Sequence, residues 1–422
     1  MENKYDVLIV GAGASGLAAA VEASRAGASV LVLEKNHVPG RKILSTGSGK
    51  CNFSNLKITP AAYHPSSPAF LKKTFSALPP AEVLAFFKGL GLLWTEGEKG
   101  RLFPRSFKAL DVVNVLLHEL DFRNVPVHVL SEVVSISSGR DGFSVEAVKV
   151  QPKWDKKAPA GERTVYLAGR LILSAGGASY PQIGGGSSGY GLLKALGHAV
   201  SPVSPSIVPL EVKGNDTKEL DGVRLEAALK LVAGGRVILK TAGEMLFTSY
   251  GVSGPAVLDL SRAALAALRE GPVAIEADLM PEYKPAELEG LLAERAVAFD
   301  GRAFSHFACG LLNEKVIRAA AARAGIAWSG IVPPGCERDL VPAIKSFTLE
   351  VSGSLGFEDA MSTAGGCSLS EVDPASFASK VVKGLYVTGE LLDLDGDSGG
   401  FNLHLAWTSG LLAGRAAARK QK

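Results

Sequence analysis

Several things are scarce in this 422-residue chain, and each scarcity excludes a class of protein. Cysteine occurs four times, at Cys51, Cys309, Cys336 and Cys367, with no C-x-x-C pair and no zinc spacing. Thiols so few and scattered read as reduced, not as a disulfide framework, and no metal is expected. Charge of one sign is not in excess, because 45 lysines and arginines against 42 aspartates and glutamates leave +3. No Lys/Arg tract concentrates that charge, so a nucleic-acid partner is not expected. No uncharged apolar run reaches the ~18 residues of a membrane span, so no membrane partner is expected either. The opening Met1-Glu2-Asn3-Lys4-Tyr5-Asp6 enters a strand-like run at once, without a secretory-leader pattern. A soluble, cytoplasmic protein is the expectation.

Glycine, in contrast, is plentiful, with 48 residues, about 11% against a usual ~7%. The excess has no G-X-Y period and gathers beside apolar runs. Tyr5–Val10 reads as a buried parallel strand. Gly11-Ala12-Gly13-Ala14-Ser15-Gly16 follows, then an alanine-rich helix from Leu17, closed by Gly27. Ser29–Leu33 is a second strand ending at Glu34, which completes a β-α-β unit. A glycine- and serine-studded loop covers 36–56. Helical patterns dominate 79–124, interrupted at Gly100–Pro104, and 125–173 reads as a β-meander with a polar break from Gln151 to Arg163. Composition shifts near Ser201-Pro202-Val203-Ser204-Pro205. Residues 207–280 read as strands with turns and 284–330 as helices. The expected class is α/β, a Rossmann-like domain over 1–199 and 346–422 interrupted by an insert. That insert spans 200–345, β-rich over 200–282 and helical over 283–345.

The glycines between the first strand and helix have separate tasks. Gly11 permits the tight turn, Gly13 lets a pyrophosphate approach the backbone, and Gly16 allows helix and strand to pack closely. The helix N-terminus offers unpaired N–H groups and a positive dipole end to phosphates. Glu34 stands where a carboxylate holds both ribose hydroxyls and repels a 2′-phosphate, which suits FAD or NAD better than NADP. The C-terminus decides between those two. Gly384–Glu390 is a strand ending in a glycine and a carboxylate, then comes an acidic loop through Asp397, then a helix opened by Ser398-Gly399-Gly400. A late segment returning to the first domain suits a long cofactor, and a helix N-terminus there favours an anionic reduced flavin. FAD is the expected cofactor, with NADH or NADPH as a transient reductant, since no second complete G-x-G-x-x-G unit occurs.

The same stretches resemble the bacterial flavoproteins related to aminoacetone oxidase and to BaiN-type 3-dehydro-bile-acid Δ4,6-reductases. They comprise Gly11–Gly16, Gly40–Asn55, Ala175–Pro181, Gly243–Thr248, Gly251–Pro255, Thr363–Gly366 and Gly389–Asn402. The resemblance implies an FAD-binding domain of the two-dinucleotide-binding-domain class, interrupted by a β-rich domain. Cofactor contacts are then expected at Gly11, Gly13, Ala14, Ser15, Gly16, Glu34, Lys35, Arg41, Lys42, Gly47, Gly49, Lys50, Cys51 and Asn52. Val133, Ala175, Gly176, Gly177, Gly389, Glu390, Asp397, Gly399, Gly400, Phe401 and Asn402 complete that set. The chain departs from the family pattern at Lys50, Ser54, Tyr190, Ser249 and Cys367.

In a flavoenzyme the protein supplies position and one proton. Tyr180 and Tyr250 are the candidate donors, each weighed against an ordinary packed role. Cys51 reads better as a small packed residue than as a reactive thiol, and His404 as a cap, a packing group or a flavin neighbour. The expected activity is NAD(P)H-linked reduction of an activated C=C bond in a small or cyclic molecule. An amine oxidase producing peroxide is the alternative, and a non-catalytic flavin-binding protein in redox sensing or RNA modification is another.

Overall fold

The computed structural model describes residues 3–64, 68–152, 161–214 and 216–419. The expected polar break at 151–163 falls largely outside them. The chain divides into two compact units, 1–205 with 361–422 and 206–360.

In the first unit the apolar run Lys4–Val10 forms a central strand, with Val7, Leu8 and Ile9 fully buried. It pairs in parallel with Val30–Leu33 on one side and Arg163–Leu173 on the other. Val127–His128 extends the first edge. The long strand Arg163–Leu173 shares its other edge between two partners. Residues 163–168 pair antiparallel with Gly142–Lys149, itself paired with Ser131–Gly139, which is the expected meander. Residues 171–173 instead pair in parallel with Leu385–Val387, so the late segment joins the first sheet. Continuous apolar runs suit such parallel strands, covered on both faces.

Helix Ala14–Arg25 leaves the first strand, and the closing helix Phe401–Ala417 packs along it. A methyl on Gly410 would stand 2.2 Å from the Ser15 carbonyl oxygen, and one on Gly414 2.5 Å from that of Ala19. The two backbones therefore touch where side chains would hold them apart. Strands Trp94–Glu96 and Arg101–Pro104, between helices Pro80–Gly89 and Ala109–Phe122 in the chain, form a small antiparallel sheet with Ser54–Asn55.

The second unit is a closed barrel. Its strands run in the order Leu210–Val212, Gly251–Ser253, Arg236–Thr248, Arg224–Ala233, Val273–Asp278 and Phe347–Ser354. The last closes on the first. This strand moves the insert's end from the expected 345 to 360, because composition alone does not tell which sheet a strand joins. A second difference is helix Pro255–Ala267, which lies inside the stretch read as strands. Its signals are proline at the first helical position and Val257, Leu260 and Ala264 buried at helical spacing. Helices Pro285–Ala298, Glu314–Arg323 and Glu337–Lys345 occupy the expected helical part.

Candidate active site

The turn after the first strand is built as the glycine spacing requires. Gly11 has φ +101°, and a methyl on it would meet the Ser174 carbonyl oxygen at 2.4 Å. A methyl on Gly16 would lie 1.9 Å from the Gly11 carbonyl oxygen, so strand and helix pack backbone to backbone. Gly13 is different, because a methyl there meets nothing within 4 Å. The space in front of it is open. Ala14, Ser15 and Gly16 begin the helix, and Glu34 closes the loop from the other side. The Glu34 carboxylate accepts the Ala12 N–H at 2.8 Å and both the backbone and side-chain N–H of Asn36 at 2.8 Å.

An open cleft lies over this turn. Gly11, Gly13, Glu34, Lys35, Arg41, Lys42, Val133, Ala175 and Gly176 all line it. Residues from four separate stretches of sequence are thus brought to one cavity.

A second cluster continues from Lys42. Its ammonium donates to Glu390 Oε2 at 2.6 Å and to Ser179 Oγ at 2.7 Å, and Ser179 Oγ donates to Glu390 Oε1 at 2.7 Å. Thr363 Oγ1 accepts the N–H groups of Ala178 and Ser179, and the Tyr190 hydroxyl donates to the Glu390 carbonyl. Burial pushes the Tyr190 phenol up, so it stays a neutral donor. Gly177 packs against this cluster, since a methyl would sit 2.6 Å from the Glu390 carboxyl carbon and from Thr363 Oγ1 and would force these side chains to shift. Gly389 has φ +65° and faces Ser15 Oγ. Tyr190 was marked in the sequence only as a departure from the family pattern, and Ser179 and Thr363 only as members of the stretches that carry the resemblance; their joining at Glu390 was not foreseen.

The third cluster joins the 47–55 loop to the start of the closing helix. Gly400 has φ +99°, and a methyl on it would meet the Ser54 carbonyl oxygen at 2.5 Å and Asn52 Oδ1 at 2.8 Å. Asn55 donates to the Gly399 carbonyl at 2.9 Å, Trp407 Nε1 to the Phe53 carbonyl at 2.9 Å, and Tyr63 to the Phe401 carbonyl at 3.1 Å. Asn402 clamps Gly396, accepting its N–H and donating to its carbonyl, both at 2.8 Å. Asp397 pairs with His64 at 2.9 Å, a partner the sequence reading missed. His404 is buried against Ser54, with Nδ1 2.8 Å from Oγ, and burial lowers its pKa to about 3. It is a neutral packing group.

Gly47, Gly49 and Lys50 are exposed in their loop. Cys51 is buried, and burial pushes its thiol up to about 12, which removes it as a nucleophile. Tyr180 sits at φ +54° at the head of the Pro181–Ile183 turn. Tyr250 lies in the other unit, in the turn between strands Arg236–Thr248 and Gly251–Ser253. His198, Cys367 and Glu371 also converge, but both ring nitrogens already bond, to Glu371 and Ser379. Burial, then the Glu371 and Asp393 carboxylates, push the Cys367 thiol up to about 12.

Asn52 Oδ1 and Thr388 Oγ1 are buried without a hydrogen-bond partner among the described residues. Buried polar atoms are rarely left so. Asn52 Oδ1 lies at the Gly400 turn, and Thr388 leads into Gly389 and Glu390. The open space at Gly13 and the carboxylates Glu34 and Glu390 fit FAD. These features define a Rossmann-type dinucleotide-binding protein carrying a β-barrel insert.

The HI0933-like protein Rossmann domain family matches residues 5–416, and the chain belongs to that family. It is 35% identical over 419 residues to the 3-dehydro-bile acid delta(4,6)-reductase of Clostridium scindens, covering 98% of each chain. It is 27% identical over 418 residues to the ribosomal RNA dihydrouridine synthase of Escherichia coli K12, covering 96% of each. The 3-ketosteroid delta1-dehydrogenase of Sterolibacterium denitrificans shares the fold, with a TM-score of 0.53 at 14% identity over 99% of both chains.

Proposed function

We propose that this protein is an FAD-dependent oxidoreductase that reduces a C=C bond conjugated with a carbonyl in a cyclic substrate, with NADH or NADPH as reductant. The observation that carries this reading is the cleft over the Gly11–Gly16 turn, open at Gly13 where a pyrophosphate would lie, in a chain aligned end to end with a delta(4,6)-reductase. The bound cofactor would relay hydride from the nicotinamide to the substrate. Glu34 would hold the adenosine ribose, and the helix starting at Ala14 would face the pyrophosphate. Lys42 and Ser179 fix the Glu390 carboxylate, which would meet the ribityl chain, and the Gly400 helix start would place N–H groups at the far end. One substrate carbon gains hydride and its neighbour a proton. Tyr180 remains the candidate donor in the first unit.

A small, free cyclic molecule is the first substrate class. A second is the uracil ring of RNA, favoured by the end-to-end match to a dihydrouridine synthase, since that ring also carries a C=C bond conjugated with a carbonyl. Cytoplasmic location belongs to the same proposal, supported by four cysteines that are all unpaired. No described helix is long and apolar enough to cross a membrane. The test is incubation of the FAD-loaded protein and NADPH or NADH with cyclic enones, 3-oxo steroid dienes and uridine-containing RNA. A product heavier by two hydrogens from any of these supports the reading. Peroxide formed from an amine, with no reduction of any C=C bond, would replace it by the oxidase.

A further inference from the structure

Folding creates a concentration of positive charge that the sequence hides. Lys57, Lys99, Arg101 and Arg105 come from two separated segments, yet they share the small sheet of Ser54–Asn55, Arg101–Pro104 and Trp94–Glu96 and its turns, and Lys108 follows just before helix Ala109–Phe122. In strand Arg101–Pro104 the buried residues are Leu102 and Pro104, so Arg101 and Phe103 face outward. Asn55 lies opposite Arg101. A methyl on Gly100 would stand 3.4 Å from Lys57 Cγ, which places Lys57 at the Lys99–Arg101 turn. Lys50 joins from the loop that lies on Phe103, for a methyl on Gly47 would be 3.6 Å from Phe103 Cε1 and 3.9 Å from Lys50 Cβ. None of these six cations has an ion-pair partner among the described residues. The carboxylates of the same strands and turns are Glu96, Glu98 and Asp111.

Apolar groups stand among the charges. Phe107 packs its ring 5.9 Å from that of Phe103 and remains 44% exposed, at φ +54°, where bulky residues are rare. Leu56 and Leu93 are exposed on the neighbouring strand ends. Unpaired cations interleaved with an exposed aromatic are what a single-stranded nucleic acid uses, phosphates on the charges and bases on the ring. A lone carboxylate on a small substrate would occupy one or two of these cations and leave the rest unused. The face also adjoins the candidate site, because a methyl on Gly399 would lie 3.6 Å from Arg101 Nε.

We propose that this sheet face docks a single-stranded segment of RNA, holding the backbone so that a base reaches the Gly399–Gly400 end of the site. The proposal rests on the second substrate reading above. The expectation of no nucleic-acid partner rested on net charge and on the lack of a Lys/Arg tract along the chain, and neither sees charges that folding brings together.

The test is fluorescence anisotropy with a uridine-containing single-stranded RNA across salt concentrations, on the FAD-loaded full chain. Six phosphate contacts give a slope of log Kobs against log salt of about −4, and each contact removed flattens it by about 0.7. The triple variant Lys57→Gln, Arg105→Gln and Lys108→Gln is expected to flatten the slope by about 2 and to weaken binding about 50-fold at 0.15 M salt, extrapolating to 1 M. Phe107→Ala is expected to weaken it about tenfold with no change of slope. Thermal melts and flavin content of the same samples show whether each variant is folded. A slope unchanged in the triple variant, equal competition by polyglutamate, or preference for anionic phosphatidylglycerol vesicles over RNA overturns the proposal. Bleaching of the flavin by NADPH or NADH, measured alongside, reports on the reductase reading independently.

Discussion

Two glycines of the same turn, Gly13 and Gly16, separate the needs of the fold from those of the cofactor. Gly13 has φ −82° and ψ −167°, an extended conformation open to any residue, and a methyl on it meets nothing within 4 Å. Alanine at 13 therefore leaves the empty protein as stable as before, or up to about 1 kcal/mol more stable through the unfolded chain's lost freedom. Gly16 is already in the helix, and a methyl there would stand 1.9 Å from one backbone oxygen and 2.6 Å from Ser174 Oγ, where ordinary contact begins at 3.4 Å. Backbone cannot rotate away, so Gly16→Ala costs at least the upper part of the ~1–3 kcal/mol usual for overpacking. With a pyrophosphate against Gly13, the same ~1–3 kcal/mol falls on binding instead, which weakens FAD about 5- to 140-fold. Melting curves of the apoprotein and fluorescence titration with FAD read the two effects separately. Gly13→Ala binding FAD as tightly as the wild type, or losing as much stability as Gly16→Ala, would refute this assignment of the open space.

Other consequences are as direct. Lys42→Met leaves Glu390 with Ser179 as its remaining partner in that cluster, and the half-buried pair predicts a loss of about 1 kcal/mol in urea unfolding; an unchanged midpoint would show that the cluster does not hold the loop. Cys309 is exposed while Cys51, Cys336 and Cys367 are buried with raised thiol pKa values, so a disulfide reagent at pH 8 should titrate one thiol in the folded protein and four in denaturant. A second fast thiol contradicts the packing around the loop. Burial holds His404 at about 3 in the fold against 6.5 when exposed, so its contribution is complete above pH 6.5 and is lost as pH falls toward 3. The slope is up to about 1.4 kcal/mol per pH unit. Unfolding midpoints at pH 7 and pH 5 should diverge less in His404→Gln, and parallel curves would count against a neutral buried ring.

What could be read in advance was local. Gly11, Gly13, Gly16 and Glu34 lie within one β-α-β unit, where spacing along the chain fixes spacing in space. Lys42 and Glu390 are 348 positions apart, and nothing in either segment names the other. The same limit hid His64 beside Asp397, and Gly410 and Gly414 against the first helix. Strand Phe347–Ser354 carried ordinary strand composition, and only its pairing with Leu210–Val212 and Val273–Asp278 assigns it to the barrel. Helix Pro255–Ala267 had legible signals that the surrounding strands outweighed. Charge was the least legible property, since +3 over the whole chain conceals six cations gathered around one small sheet.

The most direct test of the central claim is a pair of anaerobic half-reactions on the protein purified with FAD. NADH or NADPH should bleach the bound flavin, and a cyclic substrate with a C=C bond conjugated to a carbonyl should then restore its absorbance while taking up two hydrogens. A protein that binds no FAD, or whose bleached flavin is restored by oxygen alone and by no such C=C bond, would contradict the account.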